Sequence, residues 1–328
     1  MNDLGCLRTA DLVQHYAQVQ FFDSDPGRLF RRRDLRLQEI GKYDFGGESL
    51  GQELQFHGDL TFNSNWSISS LLVYDSDQLD TRVLRGGPAV LVPGIVNSYI
   101  AVQTDSSKKQ VFKLELDEGA SQNGNSHYTE IAPTFSARFS DIVNVAAKIS
   151  YARDVEDYQY AATATTAGGA SRYVMGRMNQ QTLSTTVRVD INLSPELSLS
   201  YYGSPFVSTG RFAGFKLVTD PRATRYADRF RRLDANTVHD PASNSYSVND
   251  PAGAFTFANP NFSWRELKSN LVLRWEYQTG STAYLVWSQN RGNGDFRGDF
   301  SAGSEYRRLF QAHPDNTILV KFSYWFAL

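Results

Sequence analysis

The last eleven residues of the chain, 318–328, read ILVKFSYWFAL and decide the fold class. Apolar or aromatic side chains occupy every second position from Ile318 to Leu328. Because the side chains of a strand point alternately to its two faces, this pattern predicts a strand with one strongly apolar face. Strands that end in aromatic residues are typical of outer-membrane β-barrels, whose lipid-facing band is bordered by an aromatic girdle. We predict that the membrane-facing residues include Phe322, Tyr324 and Phe326.

The composition narrows the class of protein. The chain has 328 residues, of which 41% are hydrophobic and 13% aromatic, and its net charge is −2. It contains no run of about 18 apolar residues, so a helical membrane protein is not expected, whereas a barrel needs apolar residues only at alternate positions. The near-neutral charge gives no reason to expect a nucleic-acid partner. A lone Cys6 predicts neither a disulfide nor a metal site, and we expect no cofactor.

Alternation of apolar and polar residues recurs along most of the chain and predicts about 13 strands. The clearest segments are 50–62, 110–118, 143–152, 181–193, 267–278 and 318–328. Weaker segments are 12–22, 34–45, 66–74, 95–104, 127–139, 197–207 and 282–291. Several approach or exceed ten residues, which is close to the roughly 9–11 that a tilted strand needs to cross a bilayer.

The connections between these segments are of two kinds. Tight polar turns are predicted at 63–65, 140–142, 194–196 and 279–280, and long connections at 75–93, 154–180, 208–265 and 292–315. Counted back from the C-terminus, the two kinds fall at opposite ends of the strands, as short periplasmic turns and long outer loops do in barrels. We therefore predict one all-β domain over 1–328, an antiparallel up-and-down transmembrane β-barrel. The competing fold is a soluble β-sandwich.

Five stretches, taken in order, resemble one protein family. They are Asn2–Asp11, Leu79–Pro88, Pro205–Gly210, Leu271–Thr282 and Leu309–Asn316. Together they resemble the C-terminal barrel portion of an exported Gram-negative family, catalogued as domain of unknown function number 5916. In that family, further barrel sequence and a domain similar to family 9 carbohydrate-binding modules usually precede this portion. The resemblance implies no catalytic residues.

The resemblance also implies that Asn2–Asp11 lies inside a barrel domain. The N-terminus has no signal peptide, and an odd strand number does not suit a bacterial single-chain barrel. We therefore expect the chain to be a C-terminal segment that lacks N-terminal strands of an incomplete barrel.

Charged residues in the strands and in the first long loop are candidates for a polar lumen. Arg82 and Arg85, next to a Gly-Gly-Pro turn, could narrow the lumen or contact an anionic substrate. A simpler interpretation is that they pair with luminal carboxylates. The strand residues that we assign to the lumen are Lys113, Glu115, Arg188, Asp190, Arg274 and Glu276. They could line a polar route or form a static network of ion pairs.

Aromatic residues in or beside the 208–265 connection are candidates for sugar binding, since aromatic rings stack on pyranose rings. The candidates are Tyr226, Tyr246 and Trp264. The alternative is that they pack this loop over the barrel mouth. The pair His313 and Asp315 has no third ligand at metal-binding spacing, so we predict no metal site.

These patterns predict an outer-membrane protein of a Gram-negative bacterium that acts as a pore, a transport module or an anchor for a carbohydrate-binding domain. The expected partners are outer-membrane lipid, the barrel-assembly machinery and an oligosaccharide or polysaccharide. The alternatives are an outer-membrane enzyme with its chemistry in the long loops and a soluble β-sandwich binding protein. No nucleophile, phosphate-binding or metalloprotease motif supports an enzyme.

Overall fold

The computed structural model describes residues 11–326, and nearly all of its regular structure is β-strand. Thirteen strands pair antiparallel into one continuous sheet, which we call the wall. In sheet order they are β1 (Val13–Asp23), β2 (Phe30–Tyr43), β3 (Ser49–Phe62), β4 (Ser67–Asp75), β7 (Ile95–Gln103), β8 (Gln110–Ser121), β9 (His127–Arg138), β10 (Val143–Thr165), β11 (Ser171–Asn192), β12 (Leu197–Val218), β17 (Phe262–Gln278), β18 (Ser281–Asp295) and β19 (Asp315–Ser323).

The all-β class and the thirteen antiparallel strands are confirmed, one observed strand for each predicted segment. Closure into a barrel is not observed, because within residues 11–326 β1 pairs only with β2 and β19 only with β18. The wall is therefore an open sheet with two edges in the described part of the chain. Most of the Asn2–Asp11 motif, Cys6 and Leu328 lie outside that part.

The smaller elements all lie in connections of the wall. They are a hairpin of β5 (Gln78–Asp80) and β6 (Val90–Val92), a short strand β13 (Phe230–Arg232) beside β12, a three-stranded sheet of β14 (Thr237–Asp240), β15 (Ser245–Val248) and β16 (Phe255–Ala258), and one helix, α1 (Ala302–Gln311). Single 3₁₀ turns occur at Tyr226–Arg229 and Asp234–Asn236. No helix within residues 11–326 is long and apolar enough to cross a membrane.

The strand registers divide the wall into two faces. Residues directly opposite each other on antiparallel strands share a face, so the face can be followed from strand to strand. Leu116 lies opposite Ile131, and Leu285 opposite Val320, on what we call the apolar face. Glu115 and its neighbours at alternate positions lie on the other side, the polar face.

The connections also divide by position. Those at one end of the wall, which we call the turn end, contain at most six residues. In the β17–β18 turn, Gly280 adopts a φ of 77°, which glycine tolerates without strain. The three long connections at the opposite, loop end are 76–94, 219–261 and 296–314, and we call them the cap.

The predicted loops 154–180 and 208–265 are wrong in extent, because strands fill much of both. β10 continues to Thr165 and β11 starts at Ser171, so their connection is only 166–170. Two β-bulges, between Glu156 and Gln159 and between Tyr160 and Ala162, break the alternation in β10. Since each bulge adds a residue to one strand, the two-residue period is lost although the strand continues.

Candidate functional site

The β5–β6 hairpin leaves the wall between β4 and β7 and packs several strands away. Leu84, Val90 and Val92 of this connection form a buried cluster with Met175 of β11. Because β8, β9 and β10 lie between these positions in the sheet order, the connection crosses the loop end of those strands. The cap therefore covers part of the loop end.

Arg229 fastens the crossing connection to the rest of the cap. Its buried guanidinium donates hydrogen bonds to the carbonyl oxygens of Ala223 at 2.7 Å, Thr224 at 2.9 Å and Leu91 at 2.6 Å. Hydrogen bonds from a charged donor are stronger than neutral ones, and these satisfy a buried charge. They join the hairpin to the segment that follows β12.

A cavity of about 440 Å³ opens beside this junction. We call it the Lys216 cavity. Its lining comes from the β8–β9 turn, β10, β11, β12 and the segment before and within β13. The lining residues are Asn125, Asp157, Arg177, Gly214, Lys216, Tyr226, Ala227, Phe230 and Arg232.

Lys216 lies nearly buried in the cavity, between a carboxylate and two aromatic rings. Its Nζ donates to Asp157 Oδ2 at 2.7 Å and to the Tyr226 hydroxyl at 3.1 Å, and the Tyr226 hydroxyl donates to the same Asp157 oxygen at 2.7 Å. The ammonium also lies 4.6 Å from the centre of the Phe230 ring, a cation–π distance. Burial lowers the pKa of Lys216 although Asp157 opposes the shift, and burial together with Asp157 raises the pKa of Tyr226.

Two arginines that line the cavity have side chains more exposed than that of Lys216. Arg177 donates to the Asn125 carbonyl oxygen at 2.8 Å and lies 3.6 Å from Asp157 Oδ1. Arg232 pairs with Asp234 at 3.0 Å, and its side chain is 79% exposed. The lining thus holds three cationic side chains and one carboxylate. Chemically, this arrangement suits a polar ligand with negative charge.

Gly214 leaves the cavity open. Its φ is 58°, and no atom lies within 4 Å of the place where a Cβ would project. A side chain at this position would enter unfilled space.

A second charged centre lies on the apolar face at the loop end, where α1 packs against β12, β17 and β18. Arg265 and Glu305 are both almost completely buried and pair with each other. Arg265 also bonds Asn293 at 2.8 Å and Asp295 at 2.6 Å. This network holds α1 to the wall.

The structure places the predicted lumen residues of the strands together on the polar face. Lys113 and Lys148 both bond Glu115, at 2.9 and 2.8 Å, although β9 separates the strands of Lys148 and Glu115. Arg274 bonds Glu276 at 2.8 Å. Arg188 stacks over Tyr202 at 5.3 Å, and both Arg188 and Asp190 border hollows of the polar face.

Arg82 and Arg85 lie apart from these strand residues, in the cap. The backbone N–H of Arg82 donates to Asp80, and the Arg85 guanidinium lies 4.6 Å from the centre of the Tyr160 ring. They belong to the connection that crosses the loop end and do not join the Glu115 network.

The three aromatic sugar candidates are not brought together. Tyr226 lines the Lys216 cavity. Tyr246 packs on Phe215 and Phe257 in the core below the β14–β16 sheet, so its ring contacts protein rather than a surface open to a sugar. Trp264 is half exposed on β17 and lies over Gly294. Phe322, Tyr324 and Phe326 are all strongly exposed; Phe322 lies opposite Ala283 on the apolar face, and the other two follow the end of β19.

Sequence reasoning missed Lys216, Asp157, Arg229 and the Arg265–Glu305 pair. The one available signal was a charged residue inside an otherwise apolar run, as in the stretch GFKLV around Lys216. Within residues 11–326, no group of three His, Cys, Asp or Glu residues could hold a metal ion.

Comparison with known proteins gives one match. No curated protein and no solved structure matches the chain. The family described as "Domain of unknown function (DUF5916)" matches residues 1–327 and thereby almost the whole sequence. The chain therefore belongs to the DUF5916 family.

Proposed function

We propose that this chain is the wall of an outer-membrane β-barrel that admits a polar solute. The observation that carries the proposal is the apolar face, which is exposed on eleven of the thirteen wall strands. Its exposed large side chains are Val19, Phe21, Leu37, Leu54, Phe56, Leu72, Tyr74, Val96, Ile100, Phe112, Leu114, Leu116, Ile131, Ile149, Trp275, Leu285, Trp287, Ile318, Val320 and Phe322.

The extent of this face favours lipid as its surroundings. A soluble monomer rarely exposes a contiguous apolar patch of more than about 300–600 Å². A soluble sandwich needs a second layer over this whole face. Within residues 11–326, α1 covers the face as far as Thr185, and the β5–β6 connection covers it near Met175. The wall strands have nine residues or more, which suits a bilayer crossing by tilted strands.

The polar face favours an aqueous interior. Side chains there bond across an intervening strand, as Lys148 does with Glu115, and form a connected network. Such ion-paired linings are typical of barrel interiors. The cap partly covers the loop end, so a solute would pass the cap before the network. Pairing of the wall edges with further strands would complete the barrel, and the barrel-assembly machinery and outer-membrane lipid are its proposed partners.

Two measurements test the proposal on the full-length protein. We expect its electrophoretic mobility to change on boiling after extraction from outer membranes, as that of folded barrels does. We also expect discrete conductance steps in planar lipid bilayers. Extraction without detergent would contradict the membrane location. Heat-modifiable mobility without any conductance would contradict passage and indicate an anchoring role.

A further inference from the structure

We propose that the Lys216 cavity binds an acidic sugar, a hydroxylated ring that carries an anionic group. This inference goes beyond the proposed function, because the cavity lies where β10, β11 and β12 extend toward the loop end, and Arg177 shares the side of the apolar face. The binding site itself stands on the geometry of the cavity.

The charge of the cavity favours an anionic group. Lys216, Arg177 and Arg232 contribute three positive charges around a single carboxylate, Asp157. Arg232 also pairs with Asp234, and its side chain is 79% exposed at the rim of the cavity. A guanidinium offers paired N–H donors that match the two oxygens of a carboxylate or phosphate.

The carboxylate of Asp157 argues against a bare anion. It borders the same space as the cations and already accepts hydrogen bonds from Lys216 and Tyr226 through one oxygen. Its other oxygen lies 3.6 Å from Arg177, beyond hydrogen-bond distance. This oxygen is ion-paired with Arg177 without a close hydrogen bond, so a ligand that fills the cavity can offer a donor to it as well as acceptors to the arginines. Hydroxyl groups beside an anionic group meet both requirements.

The size of the cavity agrees with one sugar unit or two. About 440 Å³ lies within the roughly 300–1,000 Å³ of small-molecule sites and far exceeds the space of a single ion. The open place beside Gly214 adds room that a side chain would remove. The aromatic rings of Tyr226 and Phe230 supply an apolar wall, and Lys216 holds both rings in position.

Calorimetric titration of the full-length protein in detergent micelles tests the proposal. The probes are glucuronate, glucose 6-phosphate, glucose and inorganic phosphate. We expect glucuronate or glucose 6-phosphate to bind at least about tenfold more tightly than either glucose or phosphate, since a hydrogen-bonded charge pair contributes about that factor. Comparison of the two sugars identifies the anionic group. Glucose that binds as tightly as both acidic sugars, or inorganic phosphate that does, would overturn the proposal.

Two variants locate the binding site. Arg232→Gln removes an exposed rim cation, and Gly214→Asn fills the open space with a residue that tolerates positive φ. Each should weaken binding of the acidic sugar about tenfold. The matched control is Arg211→Gln, on the same strand but outside the lining, which should leave binding unchanged. Equal affinity in all three variants would refute the site.

Binding and passage can fail separately. Acidic-sugar binding that the two cavity variants weaken, in a protein with silent bilayers, supports the site and removes the passage function. Conductance without acidic-sugar binding supports passage and contradicts the binding site.

Discussion

The cap and the wall place their apolar side chains in opposite surroundings. In the cap, Val90 and Leu233 are completely buried in clusters formed by the chain itself. In the wall, Phe112 is 56% exposed and Ile149 is 49% exposed, on a face that continues from strand to strand. Removal of apolar surface from water is the main favourable contribution to folding, so the cap is stabilised by protein packing and the stability of the wall depends on what covers its apolar face.

Charged groups follow the same division. Arg265 and Glu305 in the loop-end network are buried and depend on each other, whereas Glu115 in the wall has several partners that are partly exposed. Loss of one buried partner leaves an uncompensated charge, but loss of one partner among several leaves the group solvated or paired. The difference between the two regions can therefore be tested by single substitutions.

The largest effect is expected for Arg265→Met. Glu305 then retains only Arg308, at 3.2 Å, while buried in the interface of α1. Loss of one member of a buried pair costs about 3–5 kcal/mol, which should detach α1 from the wall. Hydrogen exchange of the α1 amides measures the detachment. Arg211→Met, which removes an exposed ion pair, is the control and should cost less than about 1 kcal/mol. Equal protection of α1 in both variants would show that the pair is not what holds it.

The second prediction tests whether lipid or water covers the apolar face of the wall. Ile149→Arg puts a charge on the apolar face, and Ser150→Arg puts the same charge on the polar face beside Glu130. In a bilayer, arginine facing lipid near the midplane costs about 2–4 kcal/mol, so only the first variant should lower the free energy of unfolding by that much. Urea unfolding in lipid vesicles measures it.

The same pair of variants can contradict the membrane hypothesis. On a water-exposed face, a substitution at a half-exposed position changes stability by only about 0.5 kcal/mol. Two variants that both unfold like the unsubstituted protein would therefore indicate that water covers the apolar face.

The wall was predictable from sequence because its two faces carry different side chains, apolar on one and polar on the other. Alternation along segments such as 110–118 and 318–328 is the direct result, and each of the thirteen predicted segments corresponds to a strand. Beyond Glu156 the alternation fails, because bulges shift the period and cap residues pack on the extended strands. The sequence therefore predicts loops where β10, β11 and β12 continue toward the loop end.

The Lys216 cavity could not be predicted in the same way. Asp157, Arg177 and Tyr226 are brought together by the extended ends of three strands and by the segment after β12. No short motif records such long-range contacts. Tyr226 was found by its residue type, but its partners depend on strand extensions that lack a periodic signal.

A smaller effect concerns the pH dependence of the free energy of unfolding. Burial would raise the pKa of Asp295, but its bonds to Arg297 and Arg265 outweigh burial and lower the pKa from 3.8 to about 2. Asp295 ends β18, beyond the roughly 9–11 residues that cross a bilayer. A carboxyl whose pKa is lowered by folding stabilises the fold above its unfolded pKa, and this contribution disappears as the pH falls through the folded value. The free energy of unfolding should therefore change little down to pH 4 and be lower by roughly 1–2 kcal/mol near pH 2.

Urea unfolding in lipid vesicles at pH 4 and at pH 2 measures this change. Asp295→Asn removes the titrating group and is the control, so its pH dependence should be flatter than that of the unsubstituted protein. An equally steep loss of stability between pH 4 and pH 2 in the variant would assign the transition to another carboxyl.

The smallest effect tests how firmly the cap crosses the loop end. Arg85→Gln removes the cation 4.6 Å from the Tyr160 ring, a contact between the first connection of the cap and β10. Such contacts contribute about 0.5–1 kcal/mol at accessible sites, so the connection should open roughly two- to fivefold more often. Exchange of the Leu91 amide, which donates to the Pro221 carbonyl oxygen at 2.9 Å, reports this opening. Arg85→Lys keeps a cation at the same position and should exchange more slowly than Arg85→Gln. If both variants exchange at the rate of the unsubstituted protein, the buried cluster and the Arg229 bonds alone hold the cap closed, and its stability resembles that of a protein core rather than a surface contact.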